Sequence, residues 1–402
     1  MKSKVSRCTT ALILFVFVAL PFSARLAAQA RAAHEQNPGY LIINLGNGLG
    51  AKSGSAATSI NDFGFVAGSA FTGTGSVQHA VLWVYGFAFD LGSLAGPATS
   101  SSVPFLGLND RGEVVGITET ATPDPLNEPW SCSAFITRTP GTSCVGFAWR
   151  NGVMTALPTF GGSNGFAAGV NNLGQVVGWA ETAAQDPTCD HTQNQFRQFR
   201  AAVWEPNGKL VQLPAFHGEP DQAAVAINDK GQIAGISGIC GFAIGALSAT
   251  HAVLWDGGAV TDLGNLGGTG WNTPLAINDE GVIVGFTNTA KDVSTLNWHA
   301  FIWTRSSGKE HDLGLLQGDV ISEATSINDD GQIVGVSFGA GFSHPRAVIW
   351  LNNVPTDMNG LQLTGAALKL TVANAINNRG EITGTASDKD GNPVSFLAIP
   401  LD

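Results

Sequence analysis

The chain has 402 residues, with 20 basic against 31 acidic side chains, a net charge of −11, only 13% charged residues and 51 glycines. An acidic chain of this kind is a poor match for nucleic acid or an anionic membrane. Its Gly-rich, charge-poor composition suits short strands and turns better than helices.

The N-terminus reads as an export signal. Lys2, Lys4 and Arg7 form a basic region, Ala11 to Leu20 an apolar stretch, and Ala28-Gln29-Ala30 a small-x-small cleavage site. The apolar run is short for a bilayer span. Residues 1–30 are therefore expected to be cleaved, with 31–39 a short flexible leader and 40–402 one domain. Without Lys2, Lys4, Arg7 and Arg25, 16 basic residues face 31 acidic ones. The expectation is an extracellular or periplasmic protein, monomeric, without membrane insertion.

Tyr40 to Gly46 follows as an isolated strand, and seven copies of one turn motif come after it. Its first copy is Ile60-Asn61-Asp62-Phe63-Gly64 and its last Ile376-Asn377-Asn378-Arg379-Gly380. The leading Asn falls at 61, 109, 171, 228, 278, 328 and 377. A period near fifty residues belongs to propellers rather than to shorter solenoid repeats. Each copy has a small, apolar lead-in, the turn and a second apolar run. A strand ending in Trp83, Trp149, Trp204, Trp255, Trp303 or Trp350 follows, and then a Leu-Gly or Leu-Pro run. Four short segments bounded by turn residues make one blade. The last repeat ends at Phe396 to Pro400 without a fourth strand, which Tyr40 to Gly46 can supply. The expected fold is all-β: a seven-bladed β-propeller of four-stranded blades, closed by an N-terminal strand.

The Ile-Asn-Asp-x-Gly turn, the His-Ala-Val-Leu-Trp strand and the Asp-Leu-Gly run resemble the bacterial HAF-type extracellular repeat over about Tyr40 to Pro400. Repeats two and three depart from it, with Val145 and Arg200 in place of His and Asn172 in place of Asp. The resemblance implies a secreted repeat protein and no particular activity.

The turns read as hairpin turns, because Asn and Asp bond their own backbone and Gly takes the positive φ. One Asn and one Asp are too few ligands for calcium. The Trp series reads as packing between sheets, and His79, His251 and His299 as polar strand-edge contacts. No cofactor or metal site is expected, and hydrolase signatures are missing.

The insertions at 117–144, 179–199, 236–250 and 286–298 escape the repeat. They carry Cys132, Cys144, Cys189 and Cys240, an even set that favours disulfides in an exported chain. Three pairings are possible, with Cys132–Cys144 preferred because both lie in one insertion. These loops and the blade-to-blade connections are expected on one face. They would offer Phe196, Phe199 and the candidate ligand-binding residues Trp130, Trp271 and Trp298, beside Asp124, Glu128, Asp186, Asp190, Glu219 and Asp221. The function expected is non-catalytic binding, of a glycan or an envelope protein, or a scaffold role at the cell envelope or outside the cell. The alternative is a polysaccharide-active enzyme using paired loop-face carboxylates, with Asp190, Glu219 and Asp221 the candidates.

Overall fold

The computed structural model describes residues 38–50, 54–73, 75–128, 130–136, 141–190, 195–241, 249–291 and 297–401. The expected signal peptide lies outside the described residues. The strands form seven sheets, six of four strands and one of five. Six blades cover residues 55–90, 101–156, 161–212, 221–262, 267–312 and 321–357, each ordered from inner to outer strand along the chain.

Blade 1 shows how the repeat folds. Ser55–Ile60, Val66–Phe71, Gln78–Val84 and Phe87–Asp90 pair antiparallel in that order. The Asn61 turn joins the first two strands, and Gly64 sits in it at φ 76°, a region unfavourable to residues with a Cβ. A second glycine recurs seven positions after each motif Asn: Gly68, Gly116, Gly178, Gly235, Gly285, Gly335 and Gly384. A Cβ there would fall 1.9–2.2 Å from a carbonyl oxygen of the inner strand. That close approach accompanies a β-bulge in the inner strand of six blades, centred on Thr58, Ala168, Val225, Leu275, Thr325 and Asn374. A bulge re-aims the side chain of its extra residue. In blade 2 the inner strand is only Ser101–Ser102, and Pro104, which cannot donate to a ladder, follows it.

The last blade closes the ring. Its order is Gln362–Gly365, Gly39–Gly46, Pro393–Pro400, Ile382–Ser387, Lys369–Ile376. The N-terminal strand pairs antiparallel with Pro393–Pro400, from Tyr40 opposite Pro400 to Gly46 opposite Ser395. The fifth strand, Gln362–Gly365, runs parallel to it on the outer edge. No repeat foretells that strand, which covers an edge otherwise open to pairing.

Five of the six recurrent Trp residues are buried between blades, and Trp149 is half-buried. Trp204, Trp255 and Trp350 donate from Nε1 to the carbonyls of Pro158, Pro214 and Leu313, at 2.8–2.9 Å. These carbonyls belong to the Leu-Pro or Leu-Gly run of the preceding blade, so two pieces of the repeat meet across each of those boundaries. His79 and His299 lie 2.8 Å from Asp90 and Asp312 of the Asp-Leu-Gly runs, and His251 lies 3.3 Å from Asp262. These are cross-strand contacts within one blade.

Much of the first two insertions is strand. Val114–Pro123 with Thr142–Arg150, and Val176–Gln185 with Arg197–Trp204, extend the middle hairpins of blades 2 and 3. Disulfides Cys132–Cys144 and Cys189–Cys240 fix what lies beyond them, the second joining insertions of blades 3 and 4. Among the described residues no helix is long and apolar enough to cross a membrane.

Candidate ligand-binding site

Two openings lie on the axis of the ring. One is lined by the turn motifs alone, with residues from all seven repeats. Each motif Asn accepts at Oδ1 from the backbone N–H four residues on, at 2.9–3.0 Å. Its Nδ2 donates to the carbonyl of the corresponding Asn in the next blade, at 2.9–3.1 Å. The series runs from Asn61 to Asn109 and onward until Asn377 returns to Asn61. Only a side chain that both accepts and donates can do this, which explains Asn in every copy.

The next residue makes a second closed ring. The N–H of Asp62 donates to Oδ1 of Asp110, and so on through Asn172, Asp229, Asp279, Asp329 and Asn378 back to Asp62, at 2.7–2.9 Å. Asn172 and Asn378 each bridge the free carboxylate oxygens of their two neighbours. Asp279 sits between two acids instead. Burial, and then the charges of Asp329 and Asp229, raise its carboxyl above the ordinary range. This end of the axis is an opening of about 360 Å³ whose polar lining is set by the architecture.

The other opening is a cavity of about 370 Å³. Position −3 relative to each motif Asn lines it: Thr58, Leu106, Ala168, Val225, Leu275, Thr325 and Asn374. Six of these are the bulged residues, so one backbone irregularity aims them all at the axis. Unlike the Asn and Asp rings, this ring varies in chemistry. Blades 2 to 5 supply apolar groups, whereas blades 6, 7 and 1 supply Thr325, Asn374 and Thr58, with Glu323 two residues before Thr325.

Aromatic side chains form two groups on the apolar side. Trp271, Phe286 and Trp298 pack with ring centroids 4.9–5.3 Å apart. Phe105, Phe135 and Phe166 form the second, with Phe135 stacked on Phe166 at 4.4 Å. Phe135 comes from the first insertion and Trp298 from the end of the fourth. Trp298 Nε1 donates to Glu323 Oε1 at 2.9 Å. Burial pushes the Glu323 carboxyl up to about 7, with the Trp298 bond opposing.

Trp271 and Trp298 thus share one cavity wall, Trp271 half-buried and Trp298 buried. Trp130 begins a helical turn, Trp130–Ser133, and its side chain lies outside the described residues. Phe199 is in the core and does not line the cavity. Glu323, Phe105, Phe135, Phe166 and Phe286 escaped the sequence reading. The signal for Glu323 was available: five residues before each motif Asn, the seven copies read Ala, Pro, Phe, Ala, Thr, Glu and Val, and only blade 6 carries a charge.

The loop acids have other work. Asp124, Glu128, Asp186 and Asp221 are buried. Glu128 accepts from the N–H groups of Phe196 and Arg197, clasping the blade 2 insertion to that of blade 3. Glu181 accepts from Ser163 and Asn164, and its carboxyl is pushed up to about 8 by burial and by Glu128. Asp221 accepts from Phe199 N–H and Gln195, and burial, followed by neighbouring Asp186, pushes it up to about 8. Glu219 accepts from Ser237 and lies 3.5 Å from His251. Asp190 is exposed. None of the three acids considered for polysaccharide cleavage lines the aromatic cavity.

Fold and site together define a seven-bladed β-propeller with an amphipathic axial cavity on its insertion side. No protein-family model matches the chain, and no curated protein sequence matches it. Among solved structures it is similar to virginiamycin B lyase from Staphylococcus aureus, at 12% identity and a TM-score of 0.48, over 89% of this chain and 98% of that one. It is also similar to the β-propeller domain of the trilobed protease from Pyrococcus furiosus, at 8% identity and a TM-score of 0.49, over 87% and 98%. A third likeness is to oligogalacturonate lyase from Vibrio parahaemolyticus, at 10% identity and a TM-score of 0.44, over 89% and 93%. At such identities no activity transfers.

Proposed function

We propose that this protein is a non-catalytic binding propeller that acts outside the cytoplasm and holds a small amphipathic molecule in its axial cavity. One observation carries the reading. The cavity wall is the part of the inner strands where seven otherwise similar repeats diverge into a polar side and an aromatic side. A purely structural channel needs no such division, since the opposite end is lined by near-identical residues. Ligand sites are concave and mostly apolar, with a few placed polar groups. Export is supported by the N-terminal segment, by the resemblance to HAF-type repeats and by two disulfides in a chain of this composition.

The test is to fill the cavity. Ala168→Leu places at one bulge the residue that blade 5 carries at the equivalent bulge, Leu275, so the backbone tolerates it. A thermal-shift screen with small amphipathic compounds should find ligands for the native chain. The variant should bind them at least about tenfold more weakly, the scale of a steric loss near 1.4 kcal/mol, at an unchanged or higher melting temperature. An empty screen, or binding indifferent to this substitution, defeats the reading.

A further inference from the structure

The polar side of the cavity has an unbalanced hydrogen-bond inventory. Thr58 Oγ1 lies 2.6 Å from the carbonyl of Val103, and Thr325 Oγ1 lies 2.6 Å from that of Ala373. A carbonyl cannot donate, so both hydroxyl hydrogens are committed and both oxygens offer only lone pairs. Asn374 donates from Nδ2 to the carbonyl of Ala57 at 2.7 Å, and its amide oxygen has no partner among the described residues. Glu323 has one partner, Trp298 Nε1, leaving Oε2 as a further acceptor. No Lys, Arg or His lines the cavity among the described residues. One wall is therefore rich in acceptors and anionic when Glu323 ionises, and the facing wall is aromatic, with Thr273 Oγ1 and the Trp271 Nε1 donor as its polar atoms.

We infer that the cavity selects a primary organic ammonium with an aromatic or apolar body, its N–H groups meeting Glu323 and acceptors drawn from Thr58, Thr325 and Asn374. This rests on the reading of the cavity as a ligand site and names the ligand class. An ammonium supplies three donors, which matches a wall of acceptors. Its charge is complementary to Glu323, and charge-assisted bonds in a desolvated site are stronger than neutral ones. The aromatic rings add attraction for a cation through their electron-rich faces, and they hold the apolar body. A carboxylate ligand of the same shape would set its charge against Glu323 and bring acceptors to acceptors. A neutral alcohol would keep the apolar contacts and offer a single donor.

The experiment is calorimetric titration of the native protein at pH 8 with three probes that share a phenethyl body: phenethylamine, 2-phenylethanol and 3-phenylpropionate. The amine should bind at least about tenfold more tightly than the alcohol, as charged hydrogen bonds imply, and the acid should bind most weakly. Glu323→Gln keeps an acceptor for Trp298 Nε1 and removes the charge. It should cut amine affinity about tenfold and leave the alcohol unchanged, with melting temperature as the folding control. Alcohol or acid binding as tightly as the amine, or an amine indifferent to Glu323→Gln, overturns the charge preference while the ligand site stands. Binding of none of the three overturns the ligand site itself, and the preference with it.

Discussion

The two ends of the axis are made from the same inner strands under opposite constraints. At the turn end, Asn and Asp or Asn recur in every blade because each side chain bonds the blade beside it, and one wrong residue breaks a closed series. At the insertion end, position −3 lines the axis, from a bulge in six blades, and no one bond recurs there: Thr58, Thr325 and Asn374 bond carbonyls of the next blade, and the other four are apolar. Seven copies there have become Thr, Leu, Ala, Val, Leu, Thr and Asn. Repetition marks where neighbouring blades constrain each other, and divergence marks where the wall is free to fit something else.

The largest effect is expected at the turn end. Asn278→Ala removes the cap on Val282 N–H and the bond to the Asn328 carbonyl, at a residue only 5% exposed. With buried groups left unpaired, the cost should be about 2–4 kcal/mol, read from the denaturant midpoint. Ligand affinity of the folded fraction should not change. A stable variant that has lost binding would reverse the roles assigned to the two ends.

A second effect, read as a slope against pH, should come from the insertion side. Burial raises the carboxyls of Glu181 and Asp221 to about 8 and that of Glu323 to about 7. Each binds its proton more tightly in the folded chain than in the unfolded one. Their contribution is complete below the ordinary carboxylate range and is lost as pH rises through the folded values. The melting temperature should therefore fall between pH 5 and pH 9, and Glu181→Gln should flatten that slope. A melting temperature that rises over the interval would contradict the burial of these acids.

The smallest effect sharpens the account of the Asp ring. Asp279→Asn keeps the Oδ1 acceptor for Asp229 N–H and copies the bridging seen at Asn172 and Asn378. Relief of like charge on a partly exposed ring should raise stability by roughly 0.5 kcal/mol, measured at low salt and fading at high salt. A clear loss would show that the middle one of the three consecutive acids has a role beyond closure.

This contrast also explains what was legible in the sequence. The seven Asn positions, the Trp strand and the orphan strand Tyr40 to Gly46 define the ring because each depends on local or nearest-blade geometry. The Asn-to-Asn clasp was invisible, since an Asx turn accounts for the same residue without reference to a neighbour. The fifth strand, Gln362–Gly365, pairs with a segment more than three hundred residues away, and no repeat encodes it. For the cavity, Trp271 and Trp298 stood out as aromatics outside the repeat. Glu323 did not, because only the bulge shows which inner-strand residues face the axis. The loop acids looked exposed in sequence, yet all three of Asp124, Glu128 and Asp221 are buried, Glu128 and Asp221 accepting from backbone N–H groups of the blade 3 insertion and Asp124 from the Glu128 N–H of its own.

A crystal structure of the native protein grown with phenethylamine tests most directly the claim that one end of the axis is closure and the other a ligand site. Density is expected in the cavity, with the ring against Trp271 or Phe105 and the ammonium about 3 Å from Glu323 and at least one of Thr58, Thr325 and Asn374. The turn-end opening should hold no amine. An empty cavity with the amine at the Asp ring would contradict it.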